Sequence, residues 1–228
     1  AVLASGVKRV IVGCTDPNPV VAGRGIRLLR EKGLEVVAGV LRGECERQNE
    51  VFFHFMRTKL PFTVLKYAMT LDGKTATVSG KSQWITGEAA RKRVHEDRGR
   101  YMAILTGVST VLADNPQLTC RIPGGKNPLR VIADTNLRTP LSSTVVQTAR
   151  ETPTWIVTAV SDAGRKKAYE DAGCRVLSVP AKEGELDLQA MMQRLGEEKV
   201  DSVMVESGGT LAWSFLKAGL VNRVQAYI

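Results

Sequence analysis

The sequence predicts an α/β protein whose sheet carries helices on its faces. Three observations point there. Short β-branched runs alternate with amphipathic stretches along the chain. Gly, Pro and Asp punctuate the junctions. Hydrophobic residues make up 43% and charged residues 24% of the 228, an ordinary globular composition with no internal repeat or low-complexity tract. That length fits one large domain, or one domain plus part of another.

Taken in order, Val7–Val12 reads as a strand and the Gly- and Pro-rich CTDPNPVVAGRG as a loop. Gly25–Lys32 has helical periodicity, with Gly33 placed to end it. Leu34–Val40 is a second strand, and Glu44–Arg57 a helix with Val51, Phe52 and Phe55 on one side. Lys59-Leu60-Pro61 breaks the pattern, so a boundary is expected between residues 1–60 and 61–228. Beyond it, Phe62–Met69 is a strand and Gly87–Gly99 a helix that Thr86 is placed to cap. Tyr101–Thr106 is a strand, with a polar connection to Pro116. Strands at Leu129–Asp134, Thr154–Thr158, Arg175–Val179, Ser202–Glu206 and Arg223–Ile228 alternate with helices at Asp162–Ala172, Asp187–Gly196 and Thr210–Ala218. Residue 1 falls in a helix-to-strand connection and residue 228 in a strand, so the chain reads as part of a longer protein.

The formal charge of +9 favours anionic partners. The cations are scattered in short groups such as Arg91–Arg93 and Arg165–Lys167, and aromatics are only 5%, so phosphorylated metabolites are favoured over nucleic acid. No apolar run has the length of a membrane span, and no signal peptide is visible. Cys14, Cys45, Cys120 and Cys174 form no CxxC pair, and neither His54 nor His95 has a histidine or cysteine neighbour at helical spacing. Both histidines read as structural or surface groups, no metal site is expected, and the cytoplasm is the natural compartment.

Three segments carry chemistry. In Val205–Leu220 a buried strand ends in Glu206, then Ser207-Gly208-Gly209 leads into a helix, a geometry suited to a pyrophosphate or to a plain tight turn. It is not GxGxxG, so a Rossmann domain is unsupported. In Leu65–Gly87 (LKYAMTLDGKTATVSGKSQWITG), Lys66 is a cation inside a strand built for burial and needs an anionic partner or a route to solvent. The small residues to Gln83-Trp84 read either as a cover over a ligand, with Trp84 against a flat ring, or as a loop whose tryptophan plugs the core edge. In Thr106–Arg121, hydroxyls follow a strand end, and Asp114, Asn115 and Arg121 add an acid, an amide and a cation; the segment taken alone reads first as a capped connection with a solvated arginine, and otherwise as a phosphate contact.

Together these segments resemble the reductase domain of the bifunctional riboflavin-biosynthesis deaminase–reductases. The matching residues are Lys66, TLDGKTA, SGKSQWIT, STVLADNPQLTCR, VIADTN and VESGGTLA, with Thr70 where serine is usual. The resemblance implies a dihydrofolate-reductase-like fold and NADPH-dependent reduction of a phosphorylated pyrimidine, 5-amino-6-(5-phosphoribosylamino)uracil. It places NADPH at Ala68, Trp84, Thr110, Asp114, Thr135 and the turn Gly208, Gly209, Thr210, Leu211, Ala212, Trp213 and Ser214. It places substrate at Ser82, Arg98, Leu118, Arg121 and Glu206, with Lys66 and Glu206 as catalytic groups. One wall of a cleft is then expected from Lys66 and Ser82–Trp84, with Asp114–Arg121 and Glu206–Thr210 opposite.

Residues 1–60 resemble the C-terminal remnant of the same family's cytidine-deaminase-like α/β domain. That domain's zinc ligands, a histidine box and a cysteine pair, are absent from this sequence, so zinc is expected only in the part not contained here. The family also implies a homo-oligomer, dimer or tetramer. A dihydrofolate-reductase-like enzyme for another pteridine or pyrimidine, or a basic non-catalytic binding module, are the alternatives.

Overall fold

The structure, a computed structural model, describes residues 1–80, 82 and 84–228. The chain divides into two compact units, Ala1–Leu60 and Pro61–Ile228.

In the first unit a 3-10 turn at Val2–Ala4 precedes β1 (Arg9–Val12), α1 (Arg24–Glu31), β2 (Glu35–Ala38), α2 (Arg42–Gln48) and α3 (Glu50–Thr58). Strands β1 and β2 are parallel, in register from Arg9↔Glu35 to Val12↔Ala38, with α1 as the crossover. Gly33 ends α1 at φ 84°, a conformation only glycine adopts cheaply. The helix expected over Glu44–Arg57 is broken at Asn49, whose side-chain amide donates back to the Cys45 carbonyl at 3.0 Å and so competes with continuation.

The second unit runs β3 (Phe62–Ala68), α4 (Glu88–Arg100), β4 (Ala103–Gly107), α5 (Val108–Asp114), β5 (Leu129–Ala133), α6 (Thr144–Gln147), β6 (Thr154–Thr158), α7 (Ala163–Asp171) and β7 (Arg175–Ser178). A small antiparallel pair, β8 (Ala181–Lys182) and β9 (Glu185–Leu186), leads to α8 (Leu188–Glu197), β10 (Ser202–Glu206), α9 (Gly209–Lys217) and β11 (Arg223–Tyr227). Among the described residues the main sheet has seven strands in the order β11-β3-β10-β4-β5-β6-β7, every neighbouring pair parallel. Central strands are continuous apolar runs, Ala103-Ile104-Leu105 and Val203-Met204-Val205, fully buried because helices cover both faces. On one side Ile104, Ile132 and Ile156 pack with Val111, Leu118, Val145 and Tyr169.

Asp162 and Asp187 cap α7 and α8, each accepting at 3.0 Å from the backbone N–H three residues on. Thr86 does not cap α4. Gly87 takes the N-cap position, and the Thr86 carbonyl accepts from Arg91 at 2.7 Å. The polar connection expected after β4 is a helix, α5, because Val108 and Val111 give it a buried side despite Ser109, Thr110 and Asp114.

The order of the sheet creates one special crevice. From β4 the chain moves outward through β5 to β7. It then returns to insert β10 beside β4 and crosses to β11 on the opposite edge. The connections leaving β4 and β10 therefore diverge, and parallel sheets bind ligands at the carboxyl ends of strands where this occurs.

Candidate active site at the carboxyl edge of the sheet

Glu206 ends β10 and lies in register with Lys66 on β3. Neighbouring parallel strands thus set a carboxylate beside an ammonium, with Lys66 Nζ 3.6 Å from Glu206 Oε2. Arg98, in the last turn of α4, grips the same carboxylate through Nε at 2.7 Å and Nη2 at 2.9 Å. All three side chains are largely buried: 16% exposed for Lys66 and 12% for Arg98 and Glu206. Burial alone would push the Glu206 carboxyl up, but the Arg98 fork and the Lys66 charge prevail and hold it below its ordinary value. Burial likewise opposes the charge on Arg98, and Glu206 overcomes it, raising Arg98. The cluster holds two cations to one anion. Arg98 is committed to its bidentate partner, whereas Lys66 meets the same carboxylate only at 3.6 Å and is the less engaged cation.

A second layer steadies Lys66. Its ammonium stands 5.7 Å from the Tyr227 ring centroid. The Tyr227 hydroxyl donates to Asp97 Oδ2 at 2.8 Å, and Gln225 donates to the same oxygen at 3.2 Å. Burial, then Asp97, pushes the Tyr227 phenol well above its ordinary range. Consecutive residues of α4 thus tie the helix to β11 through Asp97 and to β10 through Arg98.

Arg98 also donates to the Thr119 carbonyl at 3.1 Å, which brings the segment after α5 to the cluster. Leu118 in that segment has φ 54°, unusual for leucine, and its side chain is buried in the core. Any ligand contact at Leu118 therefore falls to its backbone. Arg121 is exposed, with its guanidinium 3.2 to 3.3 Å from His95 Nε2.

Two residues beyond Glu206, Gly208 caps α9 without a side-chain bond, and a Cβ on Gly208 or Gly209 would meet no atom within 4 Å. Gly208 has φ −65°, so glycine here serves open approach rather than conformation. Leu211 seats α9 against the end of β4, where a Cβ on Gly107 would meet its Cδ2 at 3.3 Å. The open turn and the α9 N-terminus suit a pyrophosphate.

The remaining expected residues lie as follows. Ala68 ends β3, paired with Tyr227. Thr110 and Asp114 are on α5, the first half-buried and the second exposed. Thr135 follows β5, its hydroxyl donating to Glu185 at 3.3 Å. Thr210, Ala212 and Ser214 lie in α9, where the Ser214 hydroxyl donates back to the Thr210 carbonyl at 3.0 Å. Trp213 is 64% exposed and Trp84 71% exposed, so Trp84 does not plug the core edge. It stacks under the Arg91 guanidinium, 4.5 Å from its ring centroid. Ser82 is exposed. Lys81 and Gln83, of the same motif, lie outside the described residues.

One expectation is corrected. Lys66 and Glu206 do not face each other across a cleft, because β3 and β10 are adjacent and in register and their side chains pair along one wall. Sequence reading also missed Asp97, Tyr227 and His95. Asp97 is a charge within a polar helix, and only the opposing strand explains its burial.

Among the described residues no group of three His, Cys, Asp or Glu side chains gathers as a metal site, and no helix is long and apolar enough to cross a membrane.

Residues 61–228 match the family described as RibD C-terminal domain. A riboflavin biosynthesis protein RibD of Actinobacillus pleuropneumoniae is 50% identical over 223 residues, which is 98% of this chain and 59% of that protein. A solved Acinetobacter baumannii RibD superposes with a TM-score of 0.84 at 33% identity, covering 98% of this chain and 61% of the other. A diaminohydroxyphosphoribosylaminopyrimidine deaminase/5-amino-6-(5-phosphoribosylamino)uracil reductase of Thermotoga maritima gives 0.83 at 36% identity, covering 99% and 60%. The chain spans about three fifths of the length of these relatives.

Proposed function

This chain belongs to the RibD C-terminal domain family, and on that premise we propose that its second unit reduces 5-amino-6-(5-phosphoribosylamino)uracil to the ribitylamino phosphate in riboflavin biosynthesis, with NADPH as the reductant. The observation that carries the reading is the Lys66–Glu206–Arg98 cluster at the diverging strands, beside the open Gly208–Gly209 turn.

NADPH, when bound, supplies a hydride. The residues fit it: the Gly208–Ser214 turn and helix start would take its pyrophosphate, and Ala68, Trp84, Thr110, Asp114 and Thr135 line the same edge of the sheet in this reading. The substrate's ribose, opened to an imine, gains hydrogen at its anomeric carbon and needs a proton at nitrogen. Lys66 is the proton source, held in place by Glu206 and the Tyr227 ring. Glu206 and Arg98, locked together, form a fixed floor for the sugar, with Ser82 and the backbone at Leu118 as further substrate contacts. Arg121, exposed and cationic, takes the phosphate.

In the same reading Ala1–Leu60 is the C-terminal part of a deaminase domain. The full-length protein would also deaminate the preceding diaminopyrimidine with zinc held outside this chain. A cytoplasmic homo-oligomer belongs to this reading too, on the family's account.

Steady-state oxidation of NADPH and NADH with the phosphoribosylaminouracil tests the proposal. Lys66→Ala and Glu206→Ala should each lower turnover by about 100-fold or more. Turnover unchanged in both would sink it, and turnover only with a pteridine would move the enzyme to another substrate.

A further inference from the structure

His95 lies three residues before Arg98 on α4, on the face that receives the segment 119–121. Three contacts join the two. Cys120 Sγ donates to the His95 carbonyl at 3.1 Å. The Arg121 backbone N–H points at His95 Nδ1 as a donor at 3.3 Å. The Arg121 guanidinium brings Nε to 3.3 Å and Nη2 to 3.2 Å of His95 Nε2. The backbone N–H and the guanidinium both only donate, and a neutral imidazole offers one lone pair: with the ring proton on Nδ1 it takes the guanidinium at Nε2, with the proton on Nε2 it takes the backbone N–H, and the imidazolium takes neither. The Thr119 backbone also lies within hydrogen-bonding reach of the ring.

We propose that neutral His95 is the positioning residue for Arg121: its Nε2 lone pair aims the guanidinium at the substrate's phosphate, and protonation of the ring releases it. This rests on the reading of Arg121 as the phosphate contact. An exposed arginine otherwise samples many rotamers, and one fixed acceptor removes much of that freedom before the anion arrives. Protonated His95 would turn an N–H toward a cation, so the contact becomes repulsive.

The charged groups around the ring support the neutral form. Burial disfavours the imidazolium first, and Arg98 on the same helix and Arg121 on the facing segment add to it. Glu206 at the end of β10 and the Thr119 backbone oppose them, and the net shift is downward. Cys120 faces the His95 backbone, not the ring. The expected consequence is a KM for the phosphorylated substrate that rises as pH falls through the His95 titration, with little change in kcat.

The test uses the full chain, its His95→Leu, His95→Gln and Arg121→Ala variants, and the phosphoribosylaminouracil at a series of pH values. Glutamine keeps an acceptor and cannot titrate. His95→Leu should raise KM about tenfold at neutral pH. His95→Gln should hold KM near that of the parent and lose its rise at low pH. The substrate phosphate titrates equally in both, so the ratio of parent to His95→Gln isolates the ring. NADPH affinity should stay the same in every variant, which reports intact folding. With only two histidines in the chain, His95 can also be followed by NMR, and Arg121→Ala should move its titration upward. KM unchanged in Arg121→Ala would overturn the phosphate reading itself. KM raised in Arg121→Ala but unchanged in His95→Leu, or a His95 titration indifferent to Arg121→Ala, would overturn the positioning role alone.

Discussion

Two buried arginines in the second unit solve the same problem in opposite ways. Arg98 meets a carboxylate head-on at the edge of the sheet, where its partner Glu206 also touches Lys66. Arg130, on β5, is fully buried and meets neutral oxygens. Its Nε donates to Thr154 Oγ1 at 2.9 Å, Nη1 to the Gln117 carbonyl at 3.2 Å and Thr148 Oγ1 at 2.8 Å, and Nη2 to the carbonyls of Thr148 at 3.0 Å and Thr152 at 2.7 Å. Burial lowers it to about 10, still far above neutrality, so it keeps its charge. Those bonds tie β5, β6, the turn after α6 and the segment before Leu118 to one hub. Dispersed neutral acceptors make a structural rivet. A single shared carboxylate makes a charged surface that a substrate can read.

If that contrast holds, stability and activity should separate between the two sites. Arg130→Ala should have the largest effect on folding, about 3–5 kcal/mol, because it strands three carbonyls and leaves a cavity. The urea midpoint measures it, and Arg130→Lys, with one nitrogen instead of three, should recover only part. Arg98→Met should cost less, about 2–3 kcal/mol, since Glu206 keeps Lys66 and can be protonated. Its turnover should nonetheless fall further than the remaining folded fraction explains. An Arg98→Met protein as active as its folded fraction would erase the distinction.

The contrast also marks what the sequence made legible. Strands Thr154–Thr158 and Ser202–Glu206 were readable to the residue, because buried parallel strands are short apolar runs between turn signals. Lys66 announced itself as a cation inside such a run. Helix α5 did not, because two buried valines among hydroxyls give little periodicity. From the sequence Arg98 is one more charge in a polar helix, since helical spacing tells which residues share a face but not which strand stands opposite. His95 and Asp97 were hidden for the same reason: their partners Arg121 and Tyr227 lie far along the chain. Only the resemblance to a family singles out Arg98, and the Glu206 fork supplies the physical ground for it.

The smallest expected effect is a pH dependence that only the charged site should show. Glu206 has its folded value held below 4.5 by Arg98 and Lys66, against the burial that would raise it. A carboxyl depressed in the folded state releases its proton more readily there than in the unfolded chain. The unfolded chain therefore binds more protons between the two values, and stability falls as pH falls across that window. The contribution is fully present above about pH 4.5, the ordinary value, and is lost as pH drops through the folded value. In Arg98→Met the leading support for the charged form is gone, burial prevails, and the window should close or invert. Urea midpoints of the parent and Arg98→Met from pH 3 to pH 7 should therefore converge toward the acid end. In Arg130→Ala the recorded hydrogen-bond partners that are lost are all neutral oxygens, so its deficit against the parent should stay level across the same range. Parallel curves for all three proteins would mean that Glu206 draws nothing from Arg98, and the two arginines would then differ in burial alone.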